Sequence, residues 1–195
     1  MKKSILLLAF ILCTISNINA QDKIKLQGNG KVVSETRSTG DYDGVKIAGF
    51  FDVDLVSGKE GKITIKGEEN LLSAIKVEVE DKSLKIYVEK GTQIRTSSGN
   101  KIQVTVPFEK ISELSLAGSG DIQSKDVIKN DNLALKLAGS GNLTLPVDTN
   151  NLELHVSGSG NIHLKGTADK LTTKLSGSGD IDASNLKSKI VEANV

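Results

Sequence analysis

From Leu114 to Leu175 the apolar side chains fall on alternate positions, in four blocks. Leu114 and Leu116 form the first. Leu133, Leu135 and Leu137 form the second, Leu152, Leu154 and Val156 the third, Leu171 and Leu175 the fourth. Alternation resumes further on, at Leu143 with Leu145 and at Ile162 with Leu164. A period of two predicts strands with one buried face. Every block runs into a near-identical pentapeptide. Gly118-Ser119-Gly120-Asp121-Ile122 recurs as Gly139-Ser140-Gly141-Asn142-Leu143, as Gly158-Ser159-Gly160-Asn161-Ile162 and as Gly177-Ser178-Gly179-Asp180-Ile181, at spacings of 21, 19 and 19 residues.

The parity passes through the glycines. In the third block Leu152, Leu154, Val156, Gly158, Gly160, Ile162 and Leu164 share one face. The inward side therefore loses its side chains for two positions, which marks a bend or a close backbone approach. A unit of about 19 residues cannot bury its leucines alone, whereas stacked units can. The expected architecture is an all-β, right-handed parallel β-helix, regular over 112–195 and irregular before it.

From Leu26 to Phe108 the alternation persists with less order: Phe51, Val53 and Leu55; Leu84, Ile86 and Val88; Ile102, Val104 and Val106. Turns are expected at Ser57-Gly58, Glu80-Asp81-Lys82 and Lys90-Gly91, a helical turn over Asn70 to Ile75, and a loop over Arg95 to Asn100. Gly28-Asn29-Gly30-Lys31-Val32 reads as a degenerate copy of the later motif. The first half is then a set of early coils carrying hairpins; a separate small β-domain is the alternative.

The two chain ends carry signals of a different kind. Lys2 and Lys3, the apolar run Ile5 to Cys13 and a more polar stretch closing on Ala20 read as a secretory signal peptide over 1–20. That apolar run is shorter than the roughly 20 residues a membrane span needs. Lipidation at Cys13 is the competing reading, disfavoured by Leu12 where a small residue is usual. With cleavage, no cysteine remains, and disulfide or thiol chemistry goes with it. An N-terminal strand segment is expected over 21–44 and the main domain over 45–195. At the other end Val191, Ala193 and Val195 repeat the alternation that precedes each glycine motif, so an open strand edge is expected there. A homo-oligomer through that C-terminal edge follows as an expectation.

Removing Lys2 and Lys3 takes 25 basic residues to 23 against 24 acidic ones, a formal charge of −1. No global basic field exists for nucleic acid. No second apolar span exists either, so the mature chain is read as not integral to the membrane.

At this point the chain resembles a known family. Gly49-Phe50-Phe51-Asp52-Val53-Asp54-Leu55, Glu69-Asn70-Leu71-Leu72, Leu84-Lys85-Ile86, Val104-Thr105-Val106-Pro107 and the four Gly-Ser-Gly-Asp/Asn blocks are similar to the putative auto-transporter adhesin, head GIN domain family. The resemblance covers Val45 to Val195. It implies a right-handed β-helix and a surface-adhesion role, and it brings no catalytic residues.

Candidate chemistry is sparse. The column Asp121, Asn142, Asn161, Asp180 offers one carboxylate or amide per repeat, too few for calcium, which takes six to eight oxygens; an Asx turn or side-chain ladder is the plainer reading. Ser119, Ser140, Ser159 and Ser178 lack a base in each repeat, which activation requires. His155 and His163 have no third ligand, so no metal is expected. Lys136, His155 and Lys174 share one register and form a short basic stripe, a weak candidate for an acidic glycan or lipid headgroup and otherwise a solvated face. Gly-x-Gly without a following helix is no dinucleotide site. No cofactor is expected.

The function expected is therefore a secreted cell-envelope or cell-surface module with a non-catalytic binding or structural role. Its partner would be a protein or glycan surface ligand, and its address the periplasm, the outer-membrane surface or the medium. The alternative is a glycan-binding or polysaccharide-degrading protein. Against degradation stand the short repeats without insertions and an aromatic set limited, in the mature chain, to Tyr42, Phe50, Phe51, Tyr87 and Phe108.

Overall fold

The structure, a computed structural model, describes residues 24–194. The signal peptide over 1–20 with Cys13, the start of the 21–44 segment, and Val195 lie outside the described residues. In chain order the strands are β1 (Ile24–Gln27), β2 (Val32–Ser38), β3 (Gly44–Gly49), β4 (Asp52–Ser57) and β5 (Lys62–Glu68). A four-residue helix α1 (Glu69–Leu72) follows, then β6 (Ile75–Glu80), β7 (Ser83–Val88), β8 (Thr92–Arg95) and β9 (Gln103–Phe108). The second half holds β10 (Glu113–Gly118), β11 (Asp121–Ser124), β12 (Ile128–Gly139), β13 (Asn142–Gly158), β14 (Asn161–Gly177) and β15 (Ile181–Asn194).

One mixed sheet of 13 strands carries nearly the whole molecule. Its path runs β2-β5-β9-β4-β11-β13-β12-β10-β3-β7-β6, with β14 and β15 added beyond β13. The repeats pair in parallel, Leu135 beside Leu154 and Val156 beside Leu175. The pairings β2 with β5, β5 with β9, and β6 with β7 are antiparallel. The expected right-handed parallel β-helix is therefore corrected. The molecule is all-β, but its sheet is mixed and nearly closed on itself, barrel-like. A 19-residue repeat reports how repeats pair with each other. It carries no information on how the first half, which lacks the repeat, turns the sheet back.

The gap in the barrel lies between the edges β2 and β6. Thr39 N donates to Gly61 O (2.9 Å) and Glu69 N to Lys31 O (2.9 Å). Odd-numbered residues of β2 thus spend their backbone groups on β5, and Ser34, Thr36 and Ser38 turn theirs to the gap. Glu89 N donates to Ala74 O (2.8 Å), so Ile75, Val77 and Val79 do the same from β6. Arg37 spans the gap. Its guanidinium donates to the carbonyls of Ile75 and Leu72, the latter at 2.7 Å. Beyond this staple the seam opens into a cavity of about 370 Å³ lined by Ser38, Thr39, Gly40, Val77, Glu78 and Val79.

The core consists of columns running across the strands. Ile86, Ile47, Leu116, Leu137 and Val156 occupy neighbouring positions on β7, β3, β10, β12 and β13, and all are buried. On the other side Val104, Val53, Ile122, Leu143 and Ile162 do the same. Each such side chain contributes roughly 1.5–3 kcal/mol on burial.

The glycines follow the same columns. Gly49, Gly118, Gly139, Gly158 and Gly177 align in register with φ between 123° and 149°. A Cβ on Gly158 would overlap the Gly139 carbonyl oxygen, and one on Gly139 that of Gly118. Close backbone approach and left-handed φ together exclude any side chain there. The first member of the column is Gly49. The segment Gly28 to Val32, expected to be the degenerate copy, forms instead the connection from β1 to β2 and the first residue of β2. β1 pairs only with β8, in a separate two-stranded sheet.

Candidate functional site

The longest regular surface is the outer face of β3, β10, β12, β13 and β14. Parallel pairing places outward residues of the same parity in straight columns, about 4.8 Å apart. Lys46, Ser115, Lys136, His155 and Lys174 make one such column. The three residues singled out as a basic stripe are thus immediate neighbours. Lys46 extends them at one end.

The stripe is not a free positive field. The column two residues earlier holds Glu113 on β10 and Glu153 on β13. Glu113 lies 3.1 Å from Lys46 and 2.6 Å from Lys136. Glu153 lies 2.7 Å from His155 and 3.6 Å from Lys174. The Lys136 ammonium, with Lys46 in support, holds the Glu113 carboxyl below the usual glutamate range. The His155 hydrogen bond does the same for Glu153, with Lys174 behind it. The result is an array in which two carboxylates are each shared by two basic side chains, leaving an excess of positive charge. Sequence reasoning named the bases and missed the acids. The signal was available, because Glu113 and Glu153 share the parity of the stripe on their own strands.

The two histidines stand apart. His163 belongs to the column Thr144, His163, Asp182 on β13, β14 and β15, where it lies 3.5 Å from Asp182 Oδ2. Asp182 is held below the usual aspartate range, first by the Ser184 hydroxyl and only then by His163. Each histidine meets one carboxylate and no second ligand. Among the described residues no group of three or more potential metal ligands converges.

The Asp/Asn column is a hydrogen-bonded ladder. Asn142 Nδ2 donates to Asp121 Oδ1 (2.7 Å), Asn161 Nδ2 to Asn142 Oδ1 (3.0 Å), and the Asp180 amide to Asn161 Oδ1 (3.1 Å). An amide both donates and accepts, so each asparagine links its two neighbours. Lys101 bonds Asp52 at 2.7 Å, and the nearby Asp121 adds to the field that keeps this lysine protonated. Asp121 Oδ1 and the side-chain oxygens of Asn142 and Asn161 are thus taken up within the column. The four serines present their backbone amides to the preceding repeat, Ser159 N to Gly139 O at 2.9 Å and Ser178 N to Gly158 O at 2.8 Å.

Clefts elsewhere are open and shallow. One of about 320 Å³ is lined by Lys25, Leu26, Gln27, Gln93 and Arg95 on the β1–β8 pair. Another of about 330 Å³ is lined by Lys110, Lys129, Asn130, Asp131, Asp148, Thr149 and Asn150. No helix among the described residues is long and apolar enough to cross a membrane. At the outer side of β15, Ile190 and Val191 are 54% and 61% exposed.

Comparison with known proteins sharpens the picture. A crystal structure of a Bacteroides fragilis protein, described as a putative adhesin, superposes with a TM-score of 0.79 at 22% identity, over 86% of this chain and 78% of that one. A Parabacteroides merdae protein, also described as a putative adhesin, gives 0.68 at 21% identity, over 87% and 80%. A Parabacteroides distasonis protein described as a putative lipid binding protein gives 0.72 at 25% identity, over 87% and 80%. A search of curated proteins finds no match. The family model described as putative auto-transporter adhesin, head GIN domain matches residues 41–195, nearly the span that the sequence motifs marked out. By that match, the chain belongs to the auto-transporter adhesin, head GIN domain family.

Proposed function

We propose that the chain is an exported, non-catalytic binding module of the cell envelope, and that it engages a polar surface ligand on the outer face of β3, β10, β12, β13 and β14. The observation that carries this reading is the array of Lys46, Lys136, His155 and Lys174 interleaved with Glu113 and Glu153. A rigid parallel sheet fixes the spacing of these groups. They are therefore pre-organised toward a ligand with regularly placed polar groups, and little ordering entropy is lost on binding. Membership of an adhesin-like family supports the surface role. No nucleic acid and no cofactor belong to the proposal. Self-association along the outer side of β15, with Ile190 and Val191 exposed, is part of it.

The test is binding of the purified chain to glycan and extracellular-matrix protein arrays, with anionic lipid vesicles as a third arm. Binding should weaken at least about tenfold when Lys136 and Lys174 are both changed to glutamate, and should fall with salt. Binding indifferent to both changes would remove the face from consideration. Turnover of a polysaccharide by the purified protein would overturn the non-catalytic reading. Protease treatment of intact cells that leaves the chain uncut would count against surface display. Sedimentation showing only monomer at high concentration would remove the self-association.

A further inference from the structure

Glu68, the last residue of β5, is fully shielded from solvent, at 0% exposure. Three donors meet its carboxylate: the Gly30 amide at 2.5 Å, the Ser97 amide at 2.8 Å and the Ser97 hydroxyl at 2.6 Å. Asn100 Nδ2 in turn holds Ser97 Oγ at 3.0 Å. Gly28 lies directly over the carboxylate, so that a Cβ there would overlap its oxygens. Among the described residues no cation pairs with Glu68. The charged groups on the surrounding elements are Lys25 on β1, Lys62 and Lys66 on β5, Arg95 on β8, Lys101 bound to Asp52, and Lys31 bound to Glu69 at 2.9 Å.

Both segments that donate to Glu68 belong to one substructure. Residues 24–31 contain β1, and residues 92–100 contain β8 and the loop after it. β1 and β8 pair only with each other. They rest on the end of the core through Leu26 and Ile94. Asn70 adds two further ties to the same flap, accepting from Asn29 N at 3.1 Å and donating to Gln27 O at 2.8 Å.

We propose that the β1–β8 pair is a lid over this end of the core that opens as a unit, and that ionised Glu68 is its latch. A buried carboxylate accepting three hydrogen bonds binds its donors tightly only while it is charged. The same contacts hold its carboxyl below the usual range, the Ser97 hydroxyl first. The latch is fully engaged above the ordinary glutamate value of 4.5 and is lost as pH falls through the lower folded value. Opening bares Leu26, Ile94 and the end of the core they cover, while the 13-strand sheet stays intact.

The test is amide hydrogen exchange, read by mass spectrometry on the full chain at neutral pH. In Glu68→Gln, peptides covering 24–31 and 92–100 should exchange roughly tenfold faster or more, with 133–139 and 152–158 unchanged. Gly28→Ala keeps the carboxylate but places a methyl where the lid must close, and should give the same local release. It decides the matter should Glu68→Gln fail to fold. Unchanged protection of the two segments would overturn the proposal. So would loss of protection across the whole sheet in step with them, because the lid would then not be a separate unit.

Discussion

At the scale of single residues, the glycine column and the core columns set opposite demands. Gly158 has φ of 123° and no room for a Cβ beside the Gly139 carbonyl. Gly158→Ala should cost about 2 kcal/mol or more, since the backbone must move or accept strain. Gly40 faces open space, and Gly40→Ala should fall within about 0.5 kcal/mol of the parent. Chemical denaturation of the two variants checks both. Leu154 is fully buried, and Leu154→Ala should cost about 2–5 kcal/mol by leaving a cavity. Glu113 gives a pH signature. Its carboxyl is depressed by Lys136 and Lys46, so its contribution is present above the ordinary value of 4.5 and lost as pH falls through the lower folded one. In Glu113→Gln, stability measured by urea melts should fall less steeply on acidification than in the parent. An identical slope would show the pairs to be without net effect.

At the scale of elements, the seam between β2 and β6 is the weak line of the sheet. No ladder hydrogen bonds cross it, and the Arg37 guanidinium supplies its bridge to Ile75 and Leu72. Arg37→Ala should cost roughly 1–3 kcal/mol and raise exchange at the amides of β2 and β6 before those of β12 and β13. Arg37→Lys should rescue only part, because one ammonium cannot reproduce a planar fork reaching two carbonyls. The elements of the second half were legible in the sequence because each strand repeats the one before it. Leu133, Leu152 and Leu171 recur at 19-residue spacing and pair as that spacing implies. The helical turn expected over Asn70 to Ile75 appears as Glu69–Leu72. The role of Gly28 to Val32 was not legible. Its glycines resemble the motif, but Gly28 is small because it covers Glu68, a residue 40 positions away in sequence.

At the scale of the whole molecule, nearly every pairing joins distant parts of the chain. β3 lies beside β10 with Gly44 opposite Glu113, and β4 beside β11 with Val53 opposite Ile122. Such topology closes long loops before contacts repay them, so refolding should take on the order of milliseconds to seconds or longer. Stopped-flow circular dichroism will show this; complete refolding within microseconds would contradict it. The candidate face was half legible for the same reason that the fold was. Sequence alone determined the all-β class, the 19-residue pairing, the glycine register and the alignment of Lys136, His155 and Lys174, because each follows from local parity repeated at fixed spacing. Tertiary structure alone decided that the sheet mixes directions and nearly closes, that Glu113 reaches both Lys46 and Lys136 across strands, and that Glu68 is buried beneath the β1–β8 pair. Those depend on which distant strand edges and side chains meet, and a period along the chain holds no record of that.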